Sequence, residues 1–320
     1  MTTAQTEVKM EDFFEETIED LNEFEELSWK KGNGYRIPRF PIIEERLEGL
    51  ESGLYLFAAE SNMGKSAMMM NMLYDIATCE ENNLFGIYYS LDDAAGEIIP
   101  RIISMNEKIP ISASSKPQRY QNMIDSGEEN SVVYQDYLDK RKEGIEKLKE
   151  ARELFKVVDS MKVRSVEQMY DHLKKVKRFL KAIGSDKKMI IAIDAINDLS
   201  FSEKSLKGTE LVEEIARTVK HWTVEFDMVI FCSTHLRKLN SNRRPTLDDL
   251  KDSVVLGFEA SLVWLIYNDV SKNGESATIS YTLEGSDEKM QVIEMDWRKN
   301  KKSSFKGRTY NYFTPNYSLA

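Results

Sequence analysis

Residues 54–70 read LYLFAAESNMGKSAMMM, and the predicted fold of the chain is built around this segment. The apolar run Leu54–Ala59 is typical of a buried strand, and the methionine-rich run after residue 66 has helical character. Between them lies a short polar loop that ends in Gly-Lys-Ser, residues 64–66. A strand, a loop with this ending and a helix, in this order, are the parts of a phosphate-binding P-loop.

The residues of this loop suit phosphate for physical reasons. The first N–H groups of a helix are unpaired and, together with the helix dipole, attract anions. Gly64 lets the backbone close around phosphate oxygens, Lys65 reaches the β- and γ-phosphates, and the Ser66 hydroxyl binds Mg²⁺. The alternative is a Gly-Lys-Ser that stands at a helix start by chance. We predict a nucleotide site formed by Ala59, Ser61, Asn62, Met63, Gly64, Lys65, Ser66 and Ala67.

Composition limits the class of protein. The chain has 320 residues, of which 41% are hydrophobic and 31% charged, so it forms one large domain or two smaller ones with a real core. No apolar run reaches membrane-spanning length, and the acidic N-terminus lacks the pattern of a signal peptide. Two distant cysteines and three histidines favour neither disulfides nor a Cys- or His-rich metal site. We expect a cytoplasmic protein (in the host-cell cytoplasm if a phage encodes it) that does not associate with a membrane.

Charge is unevenly distributed along the chain. The formal net charge is −10, which argues against binding nucleic acid over the whole surface but leaves a basic loop or a central channel open. Carboxylates dominate Glu7–Glu26, yet Phe14 and Leu21 follow helical spacing. This segment is either a solvated tail or an amphipathic helix that docks on a neighbouring subunit. We predict an acidic arm or linker helix over residues 1–33 and one nucleotide-binding domain over residues 34–320.

A second strand follows the P-loop helix. Leu84–Ser90 is rich in β-forming residues, and it is followed by Leu91, Asp92 and Asp93. Carboxylates at the C-terminal end of a strand beside a P-loop face the nucleotide. The alternative is that one of the two aspartates caps the next helix.

Two further strands end in polar residues. Lys188–Asp194 is a continuous apolar run, as in a parallel strand buried on both faces, and its final carboxylate lies where a Mg²⁺-binding acid is expected beside a P-loop. Met228–Ser233 is a similar strand, followed by Thr234 and His235. His235 is a candidate hydrogen-bond donor to the γ-phosphate. The alternatives are an ordinary acid and an ordinary histidine at strand ends.

The segments between and after these strands complete an α/β pattern. Helices are predicted over about residues 133–155, 165–182 and 210–226, with Ser165 as a cap, whereas residues 106–130 are polar and poorly periodic. The end of the chain favours antiparallel strands at Ser276–Leu283, Gln291–Asp296 and Arg308–Phe313. The fold class is therefore α/β, with a mainly parallel central sheet flanked by helices and a C-terminal antiparallel β extension.

Two basic segments are candidate phosphate contacts. The loop after His235 carries Arg237, Lys238, Arg243 and Arg244. Alone it would indicate solvated surface, but it follows a strand that ends at the nucleotide, so a DNA-contacting loop coupled to the nucleotide state is predicted. Residues 298–302 read RKNKK and form either a charged hairpin loop or cationic fingers for a neighbouring subunit's nucleotide site.

From about Tyr35 to Tyr312 these segments together resemble the RecA-like motor domain of the hexameric DnaB-like replicative helicases, and more loosely the phage helicase–primase type. That family also tends to carry alanine at the position of Ala59. Ser-Leu-Asp, ending at Asp92, is similar to the family's Ser-Leu-Glu, whose acid activates the attacking water, and is one methylene shorter. Asp194 and His235 match the Walker B acid and the sensor of the family.

The resemblance extends to both basic segments. Residues 244–253 are similar to the second DNA-binding loop of the family, with Lys251 in place of an arginine. Lys299-Asn300-Lys301 is similar to its Lys-x-Arg finger motif, with Lys301 in place of the finger arginine and Arg298 as a possible substitute. A lysine lacks the bidentate contact of an arginine, which implies weaker stabilisation of the transition state.

The resemblance implies an ATP-dependent, Mg²⁺-dependent DNA helicase that assembles into a homo-oligomeric, hexameric ring and moves on single-stranded DNA during replication, with primase or a helicase loader as further partners. Its implied catalytic residues are Lys65, Asp92, Asp194, His235 and Lys301. Ser66 and Asp194 would bind the metal, Lys299 and Arg298 would contact ATP from the next subunit, and DNA would contact Arg237, Lys238, Arg243, Arg244 and Lys251. Asp92, Lys301 and Val254, which stands where the family usually has a glycine, keep an alternative open: a weakly hydrolysing ring ATPase that acts as a DNA clamp, loader or regulator, or a strand-exchange recombinase.

Overall fold

The computed structural model describes residues 19–26, 28–29, 34–239, 243–250, 254–282, 285, 287–314 and 318–319. The chain divides into two units, Met1–Gly34 and Tyr35–Ala320. In the first unit the described residues 19–26 and 28–29 are helical, and Leu21, Phe24 and Trp29 expose most of their side-chain surface. That this arm docks on a second subunit stays a prediction.

The second unit alternates strands and helices. Its strands are β1 (Gly53–Ala59), β2 (Leu84–Ser90), β3 (Phe155–Asp159), β4 (Lys188–Asp194), β5 (Val229–His235), β6 (Leu262–Asn268), β7 (Gln291–Asn300), β8 (Arg308–Thr314) and β9 (Ser318–Leu319). Its helices are α1 (Pro41–Leu47), α2 (Lys65–Thr78), α3 (Ala95–Glu107), α4 (Ile111–Ser115), α5 (Pro117–Asp125), α6 (Ser131–Glu150), α7 (Val166–Ala182), α8 (Gly208–Glu225), α9 (Val254–Glu259) and α10 (Asp269–Asn273).

The strands form one mixed sheet in the order β3-β2-β4-β5-β1-β6-β7-β8-β9. The pairs from β3 through β6 are parallel, and the pairs from β6 onward are antiparallel. The predicted parallel sheet with an antiparallel C-terminal extension is confirmed. Because β1 lies between β5 and β6, the loop after β1 is flanked by neighbouring strand ends.

Both faces of the central strands are buried, as their continuous apolar sequences predict. All seven residues of β1 are buried. Tyr55 and Phe57 pack in one core with the methionines of α2, whereas Leu54 and Leu56 pack in a second core with α7 and α8. Side chains that alternate between the two faces of a strand explain this division. The P-loop strand is thereby fixed from both sides.

Ser165 caps α7 as predicted, since its Oγ accepts a hydrogen bond from the backbone N–H of Gln168 at 3.2 Å. Residues 106–130, which lack a clear period, contain α4 and α5. These short helices pack on α6 through a small apolar cluster that includes Ile109 and Ala113, with Tyr120 against it. A few buried residues in short helices do not generate a readable period.

The predicted strand Ser276–Leu283 is wrong for the residues that the structure describes there. Only an isolated antiparallel bridge joins Tyr281 to Met290. The Asp269 carboxylate accepts the backbone N–H groups of Thr278 at 2.6 Å and Ile279 at 2.8 Å. These donors are therefore used by a side chain rather than by a neighbouring strand. None of the described helices has the length and apolarity needed to cross a membrane.

Candidate functional site

The sheet brings four strand ends together around the P-loop. In the register of the sheet Ala59 lies beside His235, and Ser90 lies beside Asp194. A cavity of about 640 Å³ opens here, a volume within the usual range of small-molecule sites. Its lining includes the predicted residues Ser61, Asn62, Met63, Gly64, Lys65, Ser66, Ala67, Asp92 and His235.

The P-loop backbone depends on Gly64. Its φ of 87° lies in the left-handed region, where side chains are disfavoured. A Cβ atom at this position would stand 2.5 Å from Cδ1 of Ile293. The turn therefore requires glycine, and a side chain here would also displace the end of the Ile293 side chain. Helix α2 begins at the next residue, Lys65.

Lys65 is the strongest indication of an anion-binding site. Its side chain is buried, with 8% relative exposure, and its ammonium makes no hydrogen bond or ion pair with any residue the structure describes. Burial lowers the pKa of Lys65, and the nearby carboxylates of Asp194, Asp198 and Asp92 partly oppose that shift. A buried cation without a partner is costly, so this position suits a bound phosphate.

Asp194 is held at the end of β4 by two hydroxyl groups. The Tyr88 hydroxyl donates to one carboxylate oxygen at 2.5 Å, and the Ser233 hydroxyl donates to the other. Burial and the Asp194 carboxylate hold the pKa of Tyr88 well above its ordinary value, so the phenol keeps the proton that it donates. The sequence did not identify these partners, because they lie on two other strands.

The donor set fits Mg²⁺ rather than a protein-enclosed metal. Among the described residues no group of three or more His, Cys, Asp and Glu side chains could hold a metal ion. Ser66 lies in the first turn of α2, next to Lys65, and Asp194 ends the second strand away from β1. One hydroxyl and one carboxylate are typical of a Mg²⁺ that takes its other ligands from phosphate oxygens and water.

The two aspartates after β2 have different roles. Asp93 forms an ion pair with Arg101 at 2.6 Å, and its carbonyl accepts the Ser90 hydroxyl. Asp92 also lines the cavity, is exposed, and makes no hydrogen bond or ion pair with the described residues. Neither caps α3, whose N-cap is Ala94, so the capping alternative is wrong. Asp92 is the carboxylate available to a ligand or a water molecule.

His235 ends β5 as a half-buried side chain at the cavity. Beside it the Thr234 hydroxyl donates to Oδ1 of Asn197 at 2.7 Å. The Nδ2 atom of Asn197 is buried and has no partner among the described residues. The sequence did not single out Asn197, which follows Asp194 by three positions.

The predicted finger residues, Lys299 and Lys301, lie at the ends of the strands opposite to the P-loop. Asn300 pairs with Leu262 at the start of β6, whereas Gln291 at the opposite end of β7 lines the cavity. The strand length between Gln291 and Lys299 is roughly 26 Å at the usual rise per residue. Within one chain, Lys299 and Lys301 therefore do not reach the P-loop of that chain.

The finger residues have local partners in the structure. The Lys299 ammonium donates to the carbonyls of Gly257 at 2.8 Å and Phe258 at 2.5 Å, at the end of α9. Burial lowers the pKa of Lys299 to about 8, and the charge of Lys301 contributes to that shift. Arg298 pairs with Asp296 at 2.9 Å, whereas the Lys301 side chain is exposed.

The basic loop after β5 separates into two groups. Arg243 makes a bidentate ion pair with Asp249, at 2.7 and 2.6 Å, and lowers the pKa of that carboxyl to about 2. Arg244 makes a second bidentate pair with the buried Glu294, at 2.6 and 3.1 Å. The side chains of Arg237 and Lys238 are exposed and form no ion pair with the described residues. Lys251 lies outside the described residues.

The fold and the site define the class: an α/β nucleotide-binding domain with a P-loop at the end of a central parallel strand, of the RecA-like type. The family model described as "DnaB-like helicase C terminal domain" matches residues 38–306. The chain belongs to this family.

Among curated proteins, the replicative DNA helicase DnaB of Helicobacter pylori is 26% identical over 232 residues, which cover 71% of this chain and 42% of that protein. A probable replicative DNA helicase of Trieres chinensis is 22% identical over 261 residues, which cover 80% of this chain and 50% of that protein. The chain thus spans about half the length of the curated relatives it matches.

Two solved structures share the fold. One, described as an ATPase domain, superposes with a TM-score of 0.74 at 20% identity, covering 94% of this chain and 96% of that chain. A DnaB-like replicative helicase, described together with its interactions with primase, also gives a TM-score of 0.74 at 20% identity, covering 94% of this chain and 66% of that chain.

Proposed function

We propose that this chain is the motor of a replicative DNA helicase: it binds ATP with Mg²⁺, hydrolyses it, and uses the cycle to move along single-stranded DNA. One observation supports the nucleotide part. The buried Lys65, which has no partner among the described residues, lies in a 640 Å³ cavity that Asp92 and His235 also line. Family membership and the helicase names of the curated relatives support the DNA part.

The predicted site residues have roles that follow from their chemistry. Lys65 neutralises the β- and γ-phosphates. Ser66 and Asp194 would hold Mg²⁺, which would supply further positive charge beside these phosphates. Asp92 is the general base that orients the attacking water and accepts its proton. His235 donates a hydrogen bond to the γ-phosphate. Through this bond the loop after β5 responds to the presence or loss of that phosphate.

Asp92 sets a limit on the rate. Aspartate reaches about 1.5 Å less than glutamate because it has one methylene fewer, and proton transfer requires hydrogen-bond distance. In this proposal the cavity closes further around the nucleotide before Asp92 contacts the attacking water. The shorter acid also keeps the alternative open, a ring ATPase of low turnover that acts as a DNA clamp, loader or regulator.

The proposed assembly is a homo-oligomeric ring, with six subunits as in the family. The ends of the strands opposite to the P-loop carry Arg298, Lys299 and Lys301. This position suits a contact with the nucleotide bound by a neighbouring subunit. Lys301 is exposed and approaches that nucleotide directly. Lys299 and Arg298 first exchange their local partners, the α9 carbonyls and Asp296.

The proposed DNA contacts come from the loop after β5. Arg237 and Lys238, which are exposed, bind backbone phosphates together with Lys251. Arg243 and Arg244 instead hold the loop in place through their ion pairs. The backbone of Leu236 donates to the Ala59 carbonyl at 3.0 Å, which joins this loop to the P-loop strand. We also propose primase or a loader as a partner, because one solved relative is described with primase.

The test is steady-state ATP hydrolysis with and without single-stranded DNA, together with unwinding of a forked duplex. Wild-type protein should hydrolyse ATP, respond to DNA and unwind the fork. Lys65→Ala should abolish all three activities, whereas Lys140→Ala, on the surface of α6, should change none. Turnover that survives Lys65→Ala would contradict the site. ATP binding with negligible turnover in the wild type would favour the clamp or regulator instead.

A further inference from the structure

The edge strand β3 carries a second, smaller cavity on its side that faces α7. Its volume is about 250 Å³, and no residue lines both this cavity and the nucleotide site. Lys156 belongs to β3, Lys162 to the turn after it, and His172 and Lys175 to α7. The α7 residues in the lining are three, four and seven positions apart, so they form one face of the helix.

The three lysines lack partners within the described chain. Lys156, Lys162 and Lys175 are exposed, and none of their ammonium groups makes a hydrogen bond or an ion pair with a described residue. Asp171 is the one carboxylate in the lining, and it already pairs with Lys174 at 2.9 Å. Three positive charges therefore surround this cavity with no unpaired carboxylate among its lining residues, although the whole chain is acidic.

His172 lies half-buried among these lysines. Its Nδ1 atom shares a hydrogen bond with the Tyr89 hydroxyl at 2.7 Å, and Nε2 has no hydrogen bond with the described residues. Burial lowers the pKa of His172, and Lys156, Lys175 and Lys162 lower it further. The imidazole is therefore neutral at physiological pH, and its pKa reflects the positive charge of the three lysines.

We propose that this cavity is a phosphate-binding site, separate from the P-loop. Three lysines line the cavity and offer the positive charge that a phosphate binds, and the buried Val158 and Val163 belong to the same lining. The volume lies below the usual range for a whole small-molecule ligand, but Lys156, His172 and Lys175 also line an adjoining cavity of about 1320 Å³, so the proposal specifies the phosphate group and not the size of the molecule that carries it.

Two sources share this chemistry. One is the backbone of a nucleic-acid strand that runs along the outer edge of the sheet, and the other is a free phosphate or phosphate ester. The three lysines are exposed on or beside the edge strand β3, which favours the nucleic-acid backbone as the source of the phosphate. The site goes beyond the proposed motor function and requires neither the ring nor ATP turnover.

The first experiment follows the imidazole of His172 by NMR. The chain has three histidines, so selective ¹³C-labelling gives a short spectrum, and His172→Gln assigns the signal. Added inorganic phosphate should raise the pKa of His172 by about half a unit or more, since a bound anion offsets the lysines. His221, which is on α8 and pairs with Glu225, is the internal control and should not respond. No response of His172 to phosphate or to DNA would overturn the proposal.

The second experiment identifies the source of the phosphate. The variant Lys156→Gln, Lys162→Gln, Lys175→Gln is compared with the control Lys140→Gln, Lys142→Gln, Lys204→Gln, which removes the same charge from paired surface lysines. Affinity for single-stranded DNA is measured at several salt concentrations. Three lost phosphate contacts should reduce the salt slope by about 2 in the first variant, at roughly 0.7 per contact, and much less in the control.

The outcomes are distinct. A reduced slope together with a shifted His172 assigns the site to a nucleic-acid strand, and a shifted His172 with an unchanged slope assigns it to a free phosphate. A response to polyglutamate but not to phosphate would overturn the proposal in favour of an acidic protein partner. Melting temperature and DNA-free ATP turnover should be the same in both triple variants, which keeps this test separate from a failure of the motor assignment.

Discussion

Arg244 is the residue for which a structural role and a DNA-binding role predict the most different experimental results. Its guanidinium makes two hydrogen bonds to Glu294, at 2.6 and 3.1 Å, and its Cζ atom lies 5.2 Å from the centre of the Tyr267 ring. Glu294 has 1% side-chain exposure, so its partners take the place of the water that would otherwise contact its carboxylate. Arg308 contacts the same carboxylate at a longer distance, 3.4 Å.

These contacts set the expected magnitude. Removing one partner of a buried ion pair costs about 3–5 kcal/mol when the remaining charge is left without compensation. Here Arg308 remains, and Arg244 is 36% exposed, so part of the loss is recovered. We expect Arg244→Ala to lower the free energy of unfolding by about 2 kcal/mol, below the full effect. Arg244→Lys keeps the charge but loses the two-point contact, and should cost about half as much.

The assay combines urea unfolding with DNA affinity across salt concentrations. Arg237→Ala is the matched control, because its side chain is exposed and forms no ion pair with the described residues. It should change stability by less than about 0.5 kcal/mol and reduce the salt slope for single-stranded DNA by about 0.7. If Arg244→Ala instead kept full stability and lost the same salt slope as Arg237→Ala, the structural role assigned to Arg244 would be wrong.

Three further predictions concern the nucleotide site. Asp92→Asn should reduce ATP turnover by about 100-fold or more, and Asp92→Glu should retain or raise it, as measured by steady-state phosphate release; equal turnover in both variants would contradict the general-base role. Tyr88→Phe combined with Ser233→Ala should raise the Mg²⁺ concentration needed for half-maximal turnover by about 10-fold, because Asp194 loses both of its positioning hydroxyls; an unchanged Mg²⁺ titration would count against that role. While its ammonium is buried against the α9 carbonyls, Lys299 has a pKa lowered to about 8, so above that pH it must take up a proton before it leaves them to contact the nucleotide. Turnover of the assembly should therefore fall as pH rises through about 8, and Lys299→Arg, which stays charged, should lose this step. An identical pH profile in the variant would show that another group titrates.

The sequence could predict which residues meet at the proposed nucleotide site, because the parts of that site are local or topologically fixed. The P-loop is one short segment, and a strand–loop–helix pattern is readable from apolar runs. Asp92, Asp194 and His235 each end or follow a separate strand, and parallel strands bring their C-terminal ends to one edge. The fold class is confirmed as well, because the central strands are continuous apolar runs and β7 and β8 contain many β-forming residues.

The side-chain partners could not be predicted, because they depend on pairing between distant strands. Tyr88 and Ser233 reach Asp194 only through the sheet order. Arg243 and Arg244 look equivalent to Arg237 in a basic loop, and only the structure shows that Asp249 and Glu294 already bind them. A charge run in sequence thus does not reveal which of its members are free to bind a ligand.

The strand prediction at Ser276–Leu283 is wrong because of a contact with Asp269 that the sequence does not reveal. The segment has β-forming residues, but the Asp269 carboxylate takes two of its backbone donors. A side chain that satisfies backbone N–H groups competes with strand pairing, and its effect is visible only when both segments are placed. The roles of Lys299 and Lys301, by contrast, depend on a second subunit and stay predictions.

In the proposed ring, one subunit supplies the P-loop and the next supplies the finger. The most direct measurement is ATP hydrolysis by an equimolar mixture of Lys65→Ala and Lys301→Ala chains, each of which should be nearly inactive alone. A site completed in trans should restore about a quarter of wild-type turnover, since random mixing leaves roughly one interface in four with both residues intact. Turnover of the mixture that stays at the level of the separate variants would contradict the shared site.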